Sequence, residues 1–463
     1  MPKQMLLNAF EMNSVGHGHQ GLWTHPRDQS SNYNTLQYWA DLARLLERGL
    51  FDGVFLADVL GVYDVYRGSP ATALTHAVQI PINDPTLVIP VMAQATTHLG
   101  FGVTCNLIYE PPFQFARRMS TLDHLTNGRI GWNIVTGYTD SAARAQGLDR
   151  QIPHDDRYDA GDEYMEVVYK LWEGSWEDDA VQRDRARGVF TDPAKVHPVQ
   201  HEGQRFRLNA LHLAEPSPQR TPVLYQAGAS TRGRQFAARH AECVFVGGPT
   251  KPAVRALTDD VRRLAAEAGR DPADIKFFCG RTVIVGRTEQ EARDKAEEYR
   301  SYTSIDGALT HFSASTGIDF SLYELDEPIT HVKNDANNSL VESITSRSSE
   351  TWTVRKITER MQMGHGSIVP LVGSPEQIAD ELISWLDEAG VDGFNLGRTV
   401  TPECHADFID LVVPILQERG RYKRDYAEGT LREKLFGAGR ARLAGTHTGA
   451  SYRYGHQPAP VPA

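Results

Sequence analysis

Near its two ends the chain carries the same local pattern. LLERGLFDGVFLAD, residues 45–58, is echoed by LDEAGVDGFNLGR, residues 386–398. Each piece runs from the end of an amphipathic helix, through a glycine and an Asp-Gly turn, into an apolar strand. Gly49 and Gly390 suit the left-handed position that closes a helix. A helix that hands the chain to a buried strand is half of a βα unit. Finding that half at both ends points to a closed repeat of such units.

The intervening sequence fills the repeat. Apolar runs at 99–105, 130–135, 222–227, 243–246 and 277–285, with 5–10 at the start, bring the total to about eight strands. Amphipathic stretches at 38–46, 158–171, 254–268 and 375–386 separate them. The last has a clear start signal, with Ser374 as cap, Pro375 in the first turn and Gln377 completing a capping box. Eight strands alternating with helices predict an α/β fold, a (β/α)8 TIM barrel, with a doubly wound open sheet as the alternative. Residues 1–420 read as a single barrel domain. Insertions at about 173–217 and 299–351 break the alternation and are expected at the mouth. Residues 421–463, ending in QPAPVPA, read as an extended C-terminal arm.

Composition excludes several classes. A formal charge of −11 argues against non-specific nucleic-acid binding. No apolar run approaches the ~20 residues that span a bilayer, and MPKQMLLNAFEMN lacks a signal-peptide layout. Cys105, Cys243, Cys279 and Cys404 are far apart with no CxxC pairing. That spacing disfavours a disulfide scaffold or structural zinc and points to a cytoplasmic home.

In such barrels ligands sit at the carboxyl ends of the strands. GRIGWNIVTGY, residues 128–138, is a buried strand running into a polar loop, and HDDRYDAGDEYMEVVYKLWEG, residues 154–174, is the helix that carries the chain back. Asn133, Thr136, Tyr138, His154 and Tyr158 therefore fall where chemistry is placed. Asn133, inside an apolar strand, needs polar partners; a link within the barrel and contact with a polar ring both supply them. Asp58, closing the strand GVFLAD, is either an ordinary loop carboxylate or a residue of the mouth. YQAGASTRGRQFA, residues 225–237, places Gly-Ala-Ser-Thr at a helix start, an anion site suited to a phosphate. It is neither a Walker loop nor a GxGxxG fingerprint. GHGHQG, with His17 and His19, reads as a mouth loop rather than a metal site, since no third ligand has the right spacing. His311 reads by itself as a surface histidine of an insertion, and Asp155 and Asp156 as helix N-terminal charges.

Taken together, NAFEMNSVGH, FDGVFLADVLGVYDVYR, RRMSTLDHLTNGRIGWNIVTG, HDDRYDAGDEYMEVVYKLWEGSWEDDAV, EPSPQRTPVLYQAGAS and GFNL resemble the bacterial-luciferase-like flavin monooxygenases. The resemblance covers nearly the whole chain. It falls in the branch of the nitrilotriacetate, dibenzothiophene-sulfone and long-chain alkane monooxygenases, nearest the last, a branch that also holds riboflavin lyase. It implies a luciferase-like TIM barrel and a two-component enzyme. Reduced FMN from a separate flavin reductase, with O2, would oxygenate or oxidatively cleave a small organic substrate by way of a peroxyflavin. The missing dinucleotide fingerprint agrees with a separate reductase.

By position, the resemblance assigns FMN binding to Asp58, Thr104, Asn133, His154, Tyr158 and Ser230. Ser230 and Tyr158 would face the phosphate, Asp58 and Thr104 the ribityl and ring region, and Asn133 the isoalloxazine. Ser14, His17, Tyr63, Tyr138 and His311 would lie on the substrate side. Where the alkane enzyme has Cys and His, this chain has Ser14 and Tyr138, so added hydroxyls favour a polar substrate such as a heterocycle, as in flavin cleavage by a riboflavin lyase. The family implies a homo-dimer or homo-tetramer. A non-catalytic flavin-binding protein and a deazaflavin-dependent oxidoreductase are the readings from other classes.

Overall fold

The computed structural model describes residues 2–329, 351–363 and 369–455. Eight parallel strands form a closed ring: β1 (Leu6–Met12), β2 (Gly53–Ala57), β3 (Gly100–Asn106), β4 (Ile130–Val135), β5 (Val223–Gln226), β6 (Cys243–Val246), β7 (Lys276–Val285) and β8 (Gly393–Gly397). The ring closes where β6 meets β7, with Cys243 opposite Lys276, and where β8 meets β1, with Asn395 opposite Asn8. The expected barrel is the observed one, and the open sheet is excluded.

Alternation along the strands explains their continuous apolar runs. Phe55, Tyr225 and Phe278 turn inward to fill the ring, while Val54, Leu224 and Phe277 turn outward beneath the helices. Both faces are buried, so both must be apolar. Two glycines make room for the largest inner ring: a Cβ on Gly131 would lie 2.6 Å from the Tyr225 ring, and one on Gly102 3.5 Å from it.

The helices that carry the chain back are α1 (Leu36–Arg48), α2 (Ile89–Gln94), α3 (Pro112–Leu125), α4 (His154–Tyr169), α5 (Thr231–His240) and α6 (Lys251–Glu267). Beyond β7 come α7 (Glu289–Ser301), α8 (Ile305–Thr316) and α9 (Pro375–Glu388). The capping box of Ser374 and Gln377 is present, and Gly390 has φ 71°. The first copy of the repeated pattern departs from expectation. Gly49 has φ −81°, and Leu50 takes the left-handed conformation at φ 57°. Gly49 is required for space instead, because a Cβ there would lie 2.4 Å from the Ile409 side chain.

The two insertions part company. The described part of 299–351 follows β7 and lies at the mouth, as its place between a strand and its return helix dictates. The segment 173–217 follows α4, so it starts at the opposite end of the barrel and does not reach the mouth. Its two hairpins, Val181–Asp184 with Val189–Thr191 and Val199–Glu202 with Arg207–Ala210, belong to the outer surface. The Glu163 carboxylate on α4 accepts the Arg205 and Phe206 N–H groups, and Ser120 on α3 pairs with His212 at 2.9 Å.

The expected extended arm also differs. Through residue 455 the chain after Arg421 is packed, while QPAPVPA lies outside the described residues. A short helix, α10 (Leu431–Phe436), with its own Thr430–Glu433 capping box, places Leu431 and Leu435 in the inner cluster with Val223, Cys243 and Phe278. It thereby stoppers the N-terminal end of the barrel. Beside it the Arg432 guanidinium is buried against Glu242 at 2.7 Å and donates to the Thr221 carbonyl. No helix among the described residues is long and apolar enough to cross a membrane.

Replacing Leu431 by Ala leaves a void in this stopper that neighbouring strands cannot collapse to fill. The variant is expected to lose about 2–5 kcal/mol of stability, read as a lower urea midpoint. An unchanged midpoint would show that α10 is not part of the core.

Candidate active site at the mouth of the barrel

Three groups of side chains meet above the carboxyl ends of the strands. The first surrounds the start of α5. Ser230 caps this helix, its Oγ accepting the Gly233 N–H at 3.0 Å. His154, the first residue of α4, brings Nε2 to 3.4 Å from the same Oγ, and Tyr158, one turn later, stands edge-on to the imidazole at 5.2 Å. Burial pushes the Tyr158 phenol up, so it stays a neutral donor. A Cβ on Gly228 would lie 2.4 Å from Gln226 Nε2 and 3.1 Å from Tyr158 Oη; one on Gly233 would lie 2.9 Å from that oxygen. The glycines thus let Gln226 and Tyr158 close around the first turn of α5, a cradle whose leading amides and positive dipole end suit an anion. Arg232 beside it is engaged by Asp159 at 2.9 Å and Asp162 at 2.6 Å. Gln226, the last residue of β5, has a buried Oε1 with no hydrogen-bond partner among the described residues. The sequence reading passed it over because it continues an apolar strand.

The second group sits on β2, β3 and β4. Thr104 lies directly across from Asn133, and the Asn133 Nδ2 donates to Thr104 Oγ1 at 2.9 Å. Asn133 Oδ1 is buried and unpaired among the described residues. The link between two strands is present, and one acceptor of Asn133 is left over. Asp58 and Thr104 open onto a cavity of about 500 Å³ bounded by the loops after β2 and β3. Burial, and then the charge of Asp84, hold the Asp58 carboxyl up at about 7.

The third group is a hydrogen-bonded set of aromatic and amide side chains. The Tyr63 hydroxyl donates to Gln79 Oε1 at 2.5 Å, and it lies 2.6 Å from the Tyr138 hydroxyl, which Ser315 also reaches. Since Tyr63 has given its proton to Gln79, Tyr138 is the donor between the two phenols. His311 stacks on Tyr63 at 5.5 Å and meets Gln20 at 3.3 Å. His17 packs edge-on to Phe10 and lies 3.5 Å from Gln79 Nε2. His311 is buried, not a surface residue, because α8 folds over the mouth and turns its inner face toward Tyr63. Ser14 is the exception in this group. Its hydroxyl donates to the Gly16 carbonyl at 3.1 Å, so the hydroxyl expected to line the pocket closes its own turn.

Gln79 escaped notice because it lies in an irregular loop without periodicity. Its φ of 55°, with 52° at Ala77, is rare for non-glycine residues and marks a segment held in place by its surroundings. A buried clamp sets the loop that carries His17. Glu11 at the top of β1 pairs with Arg398 at 3.1 Å and His405 at 2.7 Å, and Arg398 donates to the Ser14 and Val15 carbonyls.

Comparison with known proteins finds relatives along nearly the whole chain. The model of the family described as luciferase-like monooxygenase matches residues 17–393. Dimethyl-sulfide monooxygenase of Hyphomicrobium sulfonivorans is 50% identical over 455 residues, covering 98% of this chain and 94% of that protein. Long-chain alkane monooxygenase of Geobacillus thermodenitrificans is 51% identical over 454 residues, 98% of this chain and 99% of its own. The crystal structure of riboflavin lyase, with modified FMN and its substrate riboflavin, superposes with a TM-score of 0.90 at 38% identity, covering 97% of this chain and 100% of that one.

Asp58 supplies a pH signature. Its carboxyl titrates higher in the folded chain than the 3.8 of a free side chain. The protonated form therefore favours the folded state: this contribution is complete below about 4 and is lost as pH rises through about 7. The Tm of Asp58→Asn should fall less than that of the parent between pH 5 and pH 8. Parallel Tm profiles would remove Asp58 from the buried wall of the cavity.

Proposed function

The chain belongs to the luciferase-like monooxygenase family, and from that premise we propose that it is the oxygenase of a two-component system. It takes reduced FMN from a separate flavin reductase and uses O2 to oxygenate a small organic molecule, one oxygen atom entering the substrate and the other leaving as water. The observation that carries this reading is the pairing of an anion cradle with an orphaned acceptor across one barrel mouth. The cradle under Gly228 and Gly233 suits a phosphate, and Asn133 Oδ1 suits a ring N–H.

FMN supplies the electrons that activate O2 when it is bound. The protein does the rest by position. Ser230, Tyr158 and the leading amides of α5 hold the phosphate, with His154 supporting Ser230. Thr104, whose oxygen is occupied by the Asn133 amide, presents its hydroxyl proton to the ligand. Asp58 borders the ring and ribityl region. Tyr63, Tyr138, His17 and His311 form the substrate side, where Tyr138 holds a proton aimed at Tyr63 and Gln79 fixes that direction. Where α8 buries His311 against Tyr63, little water remains to weaken these contacts. We place Ser14 behind this surface rather than on it. The working assembly is proposed as a homo-dimer or homo-tetramer in the cytoplasm.

A second reading keeps the same chemistry but makes the substrate a flavin, cleaved at its ribityl chain. The phenols of Tyr63 and Tyr138 and the Gln79 amide favour it, since they would pair with a heterocycle.

Three outcomes are expected. With reduced FMN and O2, a screen of alkanes, sulfides, sulfones, amines and riboflavin should show consumption of at least one compound, and none consumed would end the proposal. Ser230→Ala and Tyr158→Phe should each weaken FMN binding by about tenfold, the worth of one hydrogen bond, with the far-UV spectrum unchanged; equal affinity in both would sink the phosphate assignment. Tyr138→Phe should lower kcat more than flavin affinity. The reverse would move Tyr138 to the cofactor side.

A further inference from the structure

The 500 Å³ cavity does not end at Asp58 and Thr104. Its lining also takes in Gln79, which ties it to the Tyr63 and Tyr138 side, and residues of the loops after β2 and β3. Val59, Val62, Ile80 and Ile82 give the lining an apolar wall beside the amides of Gln79, Asn83 and Asn106. Among the described residues the charged groups lining the cavity are Asp58, Asp84, Glu110 and Arg118. Arg118 is bound directly to Glu110, so their charges largely cancel. Asp84 is fixed at the start of a short turn, its Oδ1 accepting from the Thr86 backbone N–H at 2.8 Å and the Thr86 hydroxyl at 2.6 Å. Arg118 is the one cation among these lining groups; its charge also reaches Asp84, but its direct partner is Glu110, so the lining keeps an excess of carboxylate.

We infer that the organic substrate of this site is a small, largely apolar molecule that carries no negative charge, and that the carboxylates of Asp84 and Asp58, which no directly bound cation neutralises, turn anions away. This rests on the monooxygenase reading and names its substrate class. Apolar walls gain by covering hydrocarbon. Like charges inside a partly desolvated cavity repel strongly because little water screens them, and specificity built this way works by rejection as much as by fit. The field shows itself on neighbouring groups. After burial, which acts first, Asp84 is what raises the Asp58 carboxyl, and Asp84, Asp58 and Glu110 all push the Cys105 thiol up, with Arg118 opposing them. The Glu110 carboxyl is itself raised by burial despite its arginine. Cavity size limits the molecule too, since the volume is shared with the flavin ring under the proposed function.

Matched pairs test the inference: diethyl sulfide against thiodiacetate, and triethylamine against nitrilotriacetate. Each pair has the same heteroatom and differs in its carboxylates. Binding to the full-length FMN-loaded protein is measured by calorimetry, and turnover is measured separately with reduced FMN. The neutral or cationic member should bind at least tenfold more tightly in each pair, and Glu110→Gln, which frees Arg118, should narrow the gap about tenfold. Equal or tighter binding of the carboxylates by the parent protein overturns the inference whether or not the variant folds, as does binding of neither member. A protein that binds the uncharged members yet oxidises none would leave the inference standing and count against the monooxygenase reading.

Discussion

The mouth of this barrel hangs on one buried ion pair at the seam between the first and last strands. Glu11 lies one residue before the end of β1 with its carboxylate fully enclosed, and Arg398 follows β8 with its guanidinium buried beside it. Burying two charges is costly unless every remaining donor and acceptor is satisfied. Here His405 takes the second carboxylate oxygen, and the Ser14 and Val15 carbonyls take the other end of the arginine. The pair thus fixes more than the seam. It orients the turn that sends His17 over the barrel, and through His17 and Gln79 it bears on the position of Tyr63. Removing one partner would leave an unpaired charge where no water reaches it, so the cost would fall on the loop and the ring together.

The mouth divides its labour by chemistry. On the α5 side lie glycines, a capping serine and helix amides, groups that offer many donors in little volume. On the β2 and β3 side lie branched apolar side chains edged with carboxylates. Between them Asn133 and Thr104 form a polar bridge on adjacent strands. Under the proposed function, a ligand with an anionic tail and a polar ring would lie along that line, and a second, less polar molecule beyond it.

Much of this was legible in the sequence, for reasons that are local. The repeated helix–turn–strand pattern announced the closed ring because its hydrophobic spacing is set by burial on both strand faces. Ser374, Pro375 and Gln377 announced a helix start because capping is chemistry over four residues. What misled was anything that depends on distant partners. Gly49 looked like the left-handed residue that closes a helix, yet its reason is Ile409, 360 positions later. The segment 173–217 looked like a cover for the mouth because composition does not say which end of a helix a loop leaves from. Gln79 carried no pattern at all, since its role depends on Tyr63 and His17 arriving from two other loops. His311 looked exposed because the stacking ring that buries it is 248 residues away.

The stopper formed by α10 gives the chain an order of events. The eight strands and their helices are all synthesised before Leu431, yet the inner cluster at the foot of the ring stays open until that residue arrives. A nascent chain emerging from its N-terminus therefore holds a nearly complete barrel whose apolar floor still faces water. Domains fold during synthesis as their parts become available, so closure here is a late event that reports completion. A chain cut short before α10 would present that open floor to the cell's quality-control machinery, while the full chain hides it.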